Sequence, residues 1–223
     1  MSVSPIFYTL PGCEQFAPTV SHPGEDAGAD IRLFVENCDF EELESSLYNL
    51  VGRCYLRCGL FIDGERVEES QEDGKLLSHP EIYSFCKDRV RERGGAIILC
   101  PGEKVLVNGG FKVILPSTKN MVFPFNSMVP VYKIVPRSGL CHKHGICVSN
   151  SPGIIDSGYQ DWVKVSLFNG GSGYHIFTHG SRIAQGICEF VVDQSSRQVT
   201  TNANVFSVTG RHTGGFGSTR VSV

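Results

Sequence analysis

The sequence is short of the features that define several large protein classes. It has no CxxC pair, no apolar run near the roughly 18 residues that cross a bilayer, and no surplus of one charge, with 20 basic against 23 acidic residues. The first absence counts against structural zinc. Nine cysteines are scattered along the chain, and the nearest pair, Cys54 and Cys58, has no second pair to complete four ligands. An odd cysteine count, with no basic start or apolar stretch at Met1-Ser-Val-Ser-Pro5, leads us to expect reduced thiols and an intracellular, cytoplasmic or nuclear setting. The missing apolar run excludes a transmembrane helix. The balanced charge argues against a non-specific nucleic-acid coat, so neither a membrane nor a direct nucleic-acid partner is expected.

What is present points to β structure. Twenty-five glycines and eleven prolines imply many turns, and the 41% apolar and 19% charged fractions suit a globular domain. A strand, a turn at Pro11-Gly12 and a strand over Ala29–Val35 open the chain. From Ala96 onward, short apolar runs alternate with Gly, Ser and Pro. Lys104–Val107 and Phe111–Leu115 flank Asn108-Gly-Gly110 as a predicted hairpin, and strands are expected over 129–135, 146–148, 161–168, 176–177 and 183–192. Such spacing predicts a jelly roll or a related closed β architecture.

Residues 37–95 differ in character. Asp39-Phe-Glu-Glu42 reads as a capping box before an apolar stripe of Phe40, Leu43, Leu47 and Leu50. Ser78-His-Pro-Glu81 repeats the signature before Ile82, Phe85, Cys86 and Val90. Between them Leu60–Val67 predicts a hairpin closed by Asp63-Gly64. A helix-hairpin-helix insertion is therefore expected over 37–95, with the β domain formed by 1–36 and 96–208 and a glycine-rich arm at 209–223. A surface decoration is the plain expectation for the insertion; a module that takes a protein partner, or an extra contact between subunits, is the alternative.

Five segments carry chemistry: Ala27-Gly-Ala-Asp-Ile31, Pro136-Arg-Ser-Gly-Leu140, Gly153-Ile-Ile-Asp-Ser-Gly-Tyr159, Gly180-Ser-Arg-Ile-Ala-Gln185 and Arg211-His-Thr-Gly-Gly-Phe-Gly-Ser-Thr219. In type and order they resemble the homotrimeric deoxyuridine triphosphatase (dUTPase) family, over residues 1–35 and 96–219, and Cys141-His-Lys-His-Gly145 is similar too. The resemblance implies a mainly β, distorted jelly-roll or β-clip barrel bearing a small α+β insertion. It also implies hydrolysis of dUTP to dUMP and pyrophosphate by in-line attack of water on the α-phosphorus, which keeps uracil out of DNA and supplies dUMP for dTMP synthesis. Active sites would be shared across a homotrimer, with magnesium (Mg2+) held mainly by substrate phosphates and water rather than by a protein ligand set.

Roles then fall on particular residues. Asp156, which by itself reads as a turn cap, would be the general base. Arg137, with Ser138 and Gly139, would hold phosphate, since a guanidinium binds it bidentately. Asp30 would support that arginine, and Gln185 would reach the phosphates of a neighbouring subunit's site. Asn150, Gly153 and Ile155 belong to a hairpin whose main chain would read uracil, while Tyr159 would crowd the position of a ribose hydroxyl. Arg211, Phe216, Gly217, Ser218 and Thr219 would close the arm over the nucleotide.

Asp161, Ser181, Cys141 and His212 depart from the family pattern without removing a proposed catalytic group. Two other functions fit the scaffold. A dCTP deaminase would need a proton-shuttling glutamate where Ser166 stands, which disfavours it. A binding or regulatory protein with weakened catalysis would lack the base, arginine or arm, and all three are present.

Overall fold

The computed structural model describes residues 4–54, 59–67 and 77–195. Strands β1 (Ile6–Tyr8) and β2 (Ala29–Arg32) precede helix α1 (Phe40–Cys54). The hairpin of β3 (Leu60–Ile62) and β4 (Glu65–Arg66) leads to helix α2 (His79–Arg93). Next come β5 (Ala96–Leu99), β6 (Lys104–Asn108), β7 (Lys112–Ile114), β8 (Met128–Val135), the short helix α3 (Ser138–His144) and β9 (Ile146–Val148). The last four strands are β10 (Gly153–Asp156), β11 (Lys164–Asn169), β12 (Tyr174–Thr178) and β13 (Arg182–Val192).

The protein is mainly β, in four small sheets ordered β1-β7, β10-β8-β13-β2, β6-β11-β9 and β4-β3-β12-β5. Strands of several sheets turn one face toward a shared core that includes Ile31, Val107, Phe111, Tyr132, Val165 and Ile183. The apolar alternation along β11, where Val165 and Leu167 are fully buried and Lys164 is exposed, is what commits that strand to one inward face.

The expected hairpin at Asn108-Gly-Gly110 does not form. β6 pairs with β11 and β7 pairs with β1, so the chain turns a corner between sheets. Gly110 has φ +75, and a Cβ there would lie 2.9 Å from that of Phe16. The tight corner lets Val107, Phe111 and Val113 all enter the core, which a two-residue reversal would not allow. The strand expected over 161–168 starts at Lys164: Ser157 and Gly158 form a turn, Asp161 sits at a bend, and Val163 donates to the Phe111 carbonyl and accepts from the Gly109 amide, both at 2.9 Å, at the corner between sheets.

Residues 37–95 follow local rules closely. Asp39 Oδ1 accepts from the amides of Glu41 and Glu42 at 3.0 and 3.1 Å, and Glu81 Oε2 accepts from the Ser78 amide at 2.6 Å. Asp63 (φ 54) and Gly64 (φ 87) both take the left-handed conformation that a two-residue hairpin needs. Ile82, Cys86 and Val90 form the buried stripe of α2, whereas Phe85, expected among them, is 54% exposed. Its position, three residues after Ile82 and one before Cys86, falls at the edge of the stripe.

This segment is more than a surface decoration. β3 pairs in parallel with β12, extending a sheet of the β scaffold. Leu47, Leu50, Ile62 and Val90 pack in one apolar cluster with Ala96 and Ile176 of β5 and β12. Glu44 on α1 ties the two helices by ion pairs to Lys87 and Arg91 on α2.

Candidate active site

Asp30 is the buried anchor of the site. It lies on β2, in register with Gln185 on β13, and is 5% exposed. A carboxylate buried that deeply needs ionic partners. Its Oδ1 accepts from Arg137 Nε at 3.0 Å, and its Oδ2 accepts from Arg182 Nη1 at 3.2 Å and from Ser21 Oγ at 3.5 Å. Arg137 also donates through Nη1 to the Arg182 carbonyl at 3.5 Å. Both guanidiniums are thus oriented from behind while part of each faces solvent, Arg137 being 26% exposed and Arg182 47%.

Arg137 stands as the cap of α3, at the end of the strand-to-helix turn. Ser138 and Gly139 are exposed on the first helical turn while Leu140 anchors it in the core, so the segment is helical rather than an edge strand. A Cβ at Gly139 would meet nothing within 4 Å, leaving open space beside the arginine. Gln185 packs its Cβ 3.4 Å from where a Gly28 side chain would begin, beside the same carboxylate.

Arg182 lies within the Gly180–Gln185 motif but was not singled out, since a strand-starting arginine usually faces water. Its pairing to Asp30, 152 residues away, is what gives it a role. With Arg137 it lines a cavity of about 210 Å³ that also holds Arg32, Arg89 and Arg93.

The second carboxylate is unlike the first. Asp156 ends β10, opposite Val131 of β8, and its side chain is exposed. Its carboxylate caps no turn and has no hydrogen-bond or ion-pair partner among the described residues, while its backbone carbonyl accepts from the Tyr159 amide at 3.0 Å and closes the turn that follows. β10 has a single strand neighbour among the described residues, so its outer edge keeps free main-chain donors and acceptors. Asn150 lies over Gly153, 3.3 Å from the position of an added Cβ, and Ile155 packs against the core.

The turn after Asp156 is fixed at several points. Tyr159 Oη donates to the Trp162 carbonyl at 2.9 Å, and burial, then the nearby Asp161 charge, raises its pKa. Asp161 is exposed and accepts from the Trp162 amide at 2.7 Å, so its carboxylate is engaged locally. Lys112 Nζ donates to the Gln160 carbonyl at 3.0 Å and sits over the Trp162 ring. Ser181 Oγ closes its own turn on the Thr178 carbonyl at 2.7 Å. Ser166 shares a 2.6 Å hydroxyl contact with Ser149 and offers no acid or base.

The chain brings Asp30, Arg137, Arg182 and Gln185 together and leaves Asp156 apart from them. β10 and β2 are opposite edges of one sheet, three interstrand steps or roughly 14 Å apart. Arg211, His212, Phe216, Gly217, Ser218 and Thr219 lie outside the described residues, as does Cys58.

Two arginines aimed by a buried aspartate, with a free carboxylate on an open strand edge, are groups with the chemistry to hold a phosphate and to take a proton from water on a β scaffold. Proteins of similar sequence and structure are more specific. A model of the dUTPase family matches residues 99–220, a range that begins just after the insertion. The deoxyuridine 5'-triphosphate nucleotidohydrolase of Rickettsia canadensis is 36% identical over 148 residues, 66% of this chain and 90% of that protein. The enzyme of that name from Roseobacter denitrificans is 39% identical over 139 residues, 62% and 78% of the two chains. In structure, the dUTPase of Staphylococcus bacteriophage 80alpha, solved with dUPNHPP, matches 99% of this chain and 100% of its own with a TM-score of 0.55 and 17% identity, which speaks to fold. The chain belongs to the dUTPase family.

Proposed function

We propose that this protein hydrolyses dUTP to dUMP and pyrophosphate. The observation that carries the reading is the contrast between two carboxylates. Asp30 is buried and engaged by two arginines, whereas Asp156 is exposed, unpartnered among the described residues and able to accept a proton from water. Asp156 takes that proton as the water oxygen attacks the α-phosphorus in line. The bond from that phosphorus to the bridging oxygen breaks, and the charge on departing pyrophosphate is met by Arg137 and Arg182.

Main-chain groups on the open edge of β10 suit uracil, whose N3–H donates and whose O4 accepts. Cytosine reverses both, and each reversed contact would cost about 1–3 kcal/mol. The Tyr159 ring, its hydroxyl already tied to Trp162, stands as a wall against a 2′-hydroxyl. The distance between the edges of the sheet argues for a site assembled from Asp156 of one chain and Arg137 of another, in a homotrimer. The arm at 209–223 would close over the nucleotide through Arg211, Phe216, Gly217, Ser218 and Thr219.

Magnesium fits as part of the substrate. Both Asp30 oxygens are occupied by arginines, and the described residues form no group of three or more His, Cys, Asp or Glu that could hold a metal. Bound to the phosphates, the ion would lower their charge. No helix among the described residues is long and apolar enough to cross a membrane.

Pyrophosphate release measured with dUTP, dCTP, dTTP and UTP in the presence of magnesium tests the reading. Turnover of dUTP alone is expected; equal turnover of dCTP or UTP would refute it. Asp156→Asn should still bind a non-hydrolysable dUTP analogue while turnover falls by about 10²–10⁴. Near-normal turnover in that variant would remove Asp156 from the role.

A further inference from the structure

The arginine-lined cavity joins the inserted segment to the site. Arg32, Arg137 and Arg182 come from the β scaffold, and Arg89 and Arg93 come from α2. Five arginines line it against two acidic residues, Asp63 and Glu65. Asp63 is engaged elsewhere, accepting from the Thr178 amide at 2.8 Å and from Thr178 Oγ1 at 2.7 Å. Asp30, behind the cavity, is already shared by Arg137 and Arg182.

The cations of α2 divide into two sets. Lys87 and Arg91 pair with Glu44. Arg89, half-buried, and Arg93, exposed, have no ion-pair or hydrogen-bond partner among the described residues. They stand four residues apart on one helix face, an arrangement of like charges that weakens a helix unless an anion lies between them. Closeness to the helix C-terminus favours a cation at Arg93, but it does not account for both side chains lining the cavity with Arg137 and Arg182. At about 210 Å³ the cavity falls below the usual size of a small-molecule pocket, roughly 300 Å³ and upward, and suits phosphate groups rather than a nucleoside.

We propose that the insertion contributes Arg89 and Arg93 to binding the distal phosphates of the nucleotide, completing a five-arginine cavity with Arg32, Arg137 and Arg182. The proposal rests on the hydrolysis of dUTP put forward above. The insertion is then a working part of the substrate site, and β3 paired to β12 holds α2 in place to serve it.

The test uses the full chain with Arg89→Gln and Arg93→Gln combined, next to Arg91→Gln, which removes a cation of the same helix that faces Glu44 instead. Steady-state dUTP hydrolysis, inhibition by dUMP and inhibition by inorganic pyrophosphate are measured for each. Loss of the pair should raise KM for dUTP about tenfold and weaken competitive inhibition by pyrophosphate by a similar factor. Inhibition by dUMP, which lacks the distal phosphates, should be unchanged, and Arg91→Gln should leave KM unchanged. A double variant that hydrolyses dUTP with the original KM overturns the proposal and leaves the enzymatic reading standing. An equal rise in KM for Arg91→Gln overturns it as well, since the effect would then be one of general charge. Pyrophosphate inhibition that depends on the arginines but is non-competitive with dUTP overturns it in favour of a separate anion site. A wild-type chain that releases no pyrophosphate from dUTP sinks the enzymatic reading itself.

Discussion

Replacing Asp30 with asparagine (Asp30→Asn) would release Arg137 and Arg182, the two arginines proposed above to bind phosphate. The side chain keeps nearly the same volume, so any effect comes from charge and hydrogen bonding. In the native site Oδ1 and Oδ2 accept from Arg137 and Arg182 at 3.0 and 3.2 Å. The amide offers one acceptor, loses the negative charge and turns an NH2 toward a guanidinium. At an effective dielectric constant of about 20, each ion pair represents about 4 kcal/mol of gross Coulomb attraction. Much of that is screened, because Arg137 is 26% and Arg182 47% exposed and both can turn to water. A net loss of about 1–3 kcal/mol in stability follows, modest enough for the fold to persist. Activity should suffer more. A reacting group displaced by about 1 Å can cost roughly 10²-fold in rate, and kcat/KM for dUTP is expected to fall by about that factor. The assay pairs thermal melting with steady-state pyrophosphate release and adds inhibition by pyrophosphate and by dUMP. Weakened pyrophosphate inhibition with intact dUMP inhibition marks a positioning role that a purely structural defect would not produce. An unchanged kcat/KM would refute the reasoning, for it would show the arginines aimed without the carboxylate.

Two further outcomes concern the scaffold. His175 is stacked between Phe61 and Phe177 with both ring nitrogens unbonded among the described residues, and burial, then nearby His144, pushes its pKa from 6.5 to about 4. Its folded-state pKa is depressed, so the unfolded chain binds the extra proton; stability is fully present above about pH 6.5 and is lost as pH falls toward 4. His175→Phe should remove that part of the acid sensitivity, at most about 3 kcal/mol, in denaturant titrations across this window, and a constant difference between the two proteins would contradict it. A Cβ at Gly186 would lie 1.8 Å from Tyr132 Oη in a fully buried ring, so Gly186→Ala should destabilise the protein by about 1–3 kcal/mol or more, checked by its melting temperature. A neutral result there would mean that Tyr132 has room to move.

Much of the protein was legible locally. The caps at Asp39 and Ser78, the Asp63-Gly64 turn and the buried stripe of α2 follow from bonds and periodicities within a few residues, and a linear sequence displays those directly. Asp156 and Arg137 became candidates because each sits in a short motif that resembles those of the family, and such a motif is visible in the linear sequence even though the role of each residue is a proposal. Phe85 and the Asn108-Gly-Gly110 corner went otherwise: the first depends on which part of a helix face meets a neighbour, the second on which sheet each strand joins.

The sequence by itself determined the β-rich class, the family motifs and the inserted helices, since all of these reside in local pattern and turn chemistry. Only the tertiary structure decided that Arg182 meets Asp30, that β3 runs parallel beside β12, and that Arg89 and Arg93 face the same cavity as Arg137. Those contacts join residues from distant parts of the chain, and no short stretch of sequence records the long-range strand pairing that brings them together.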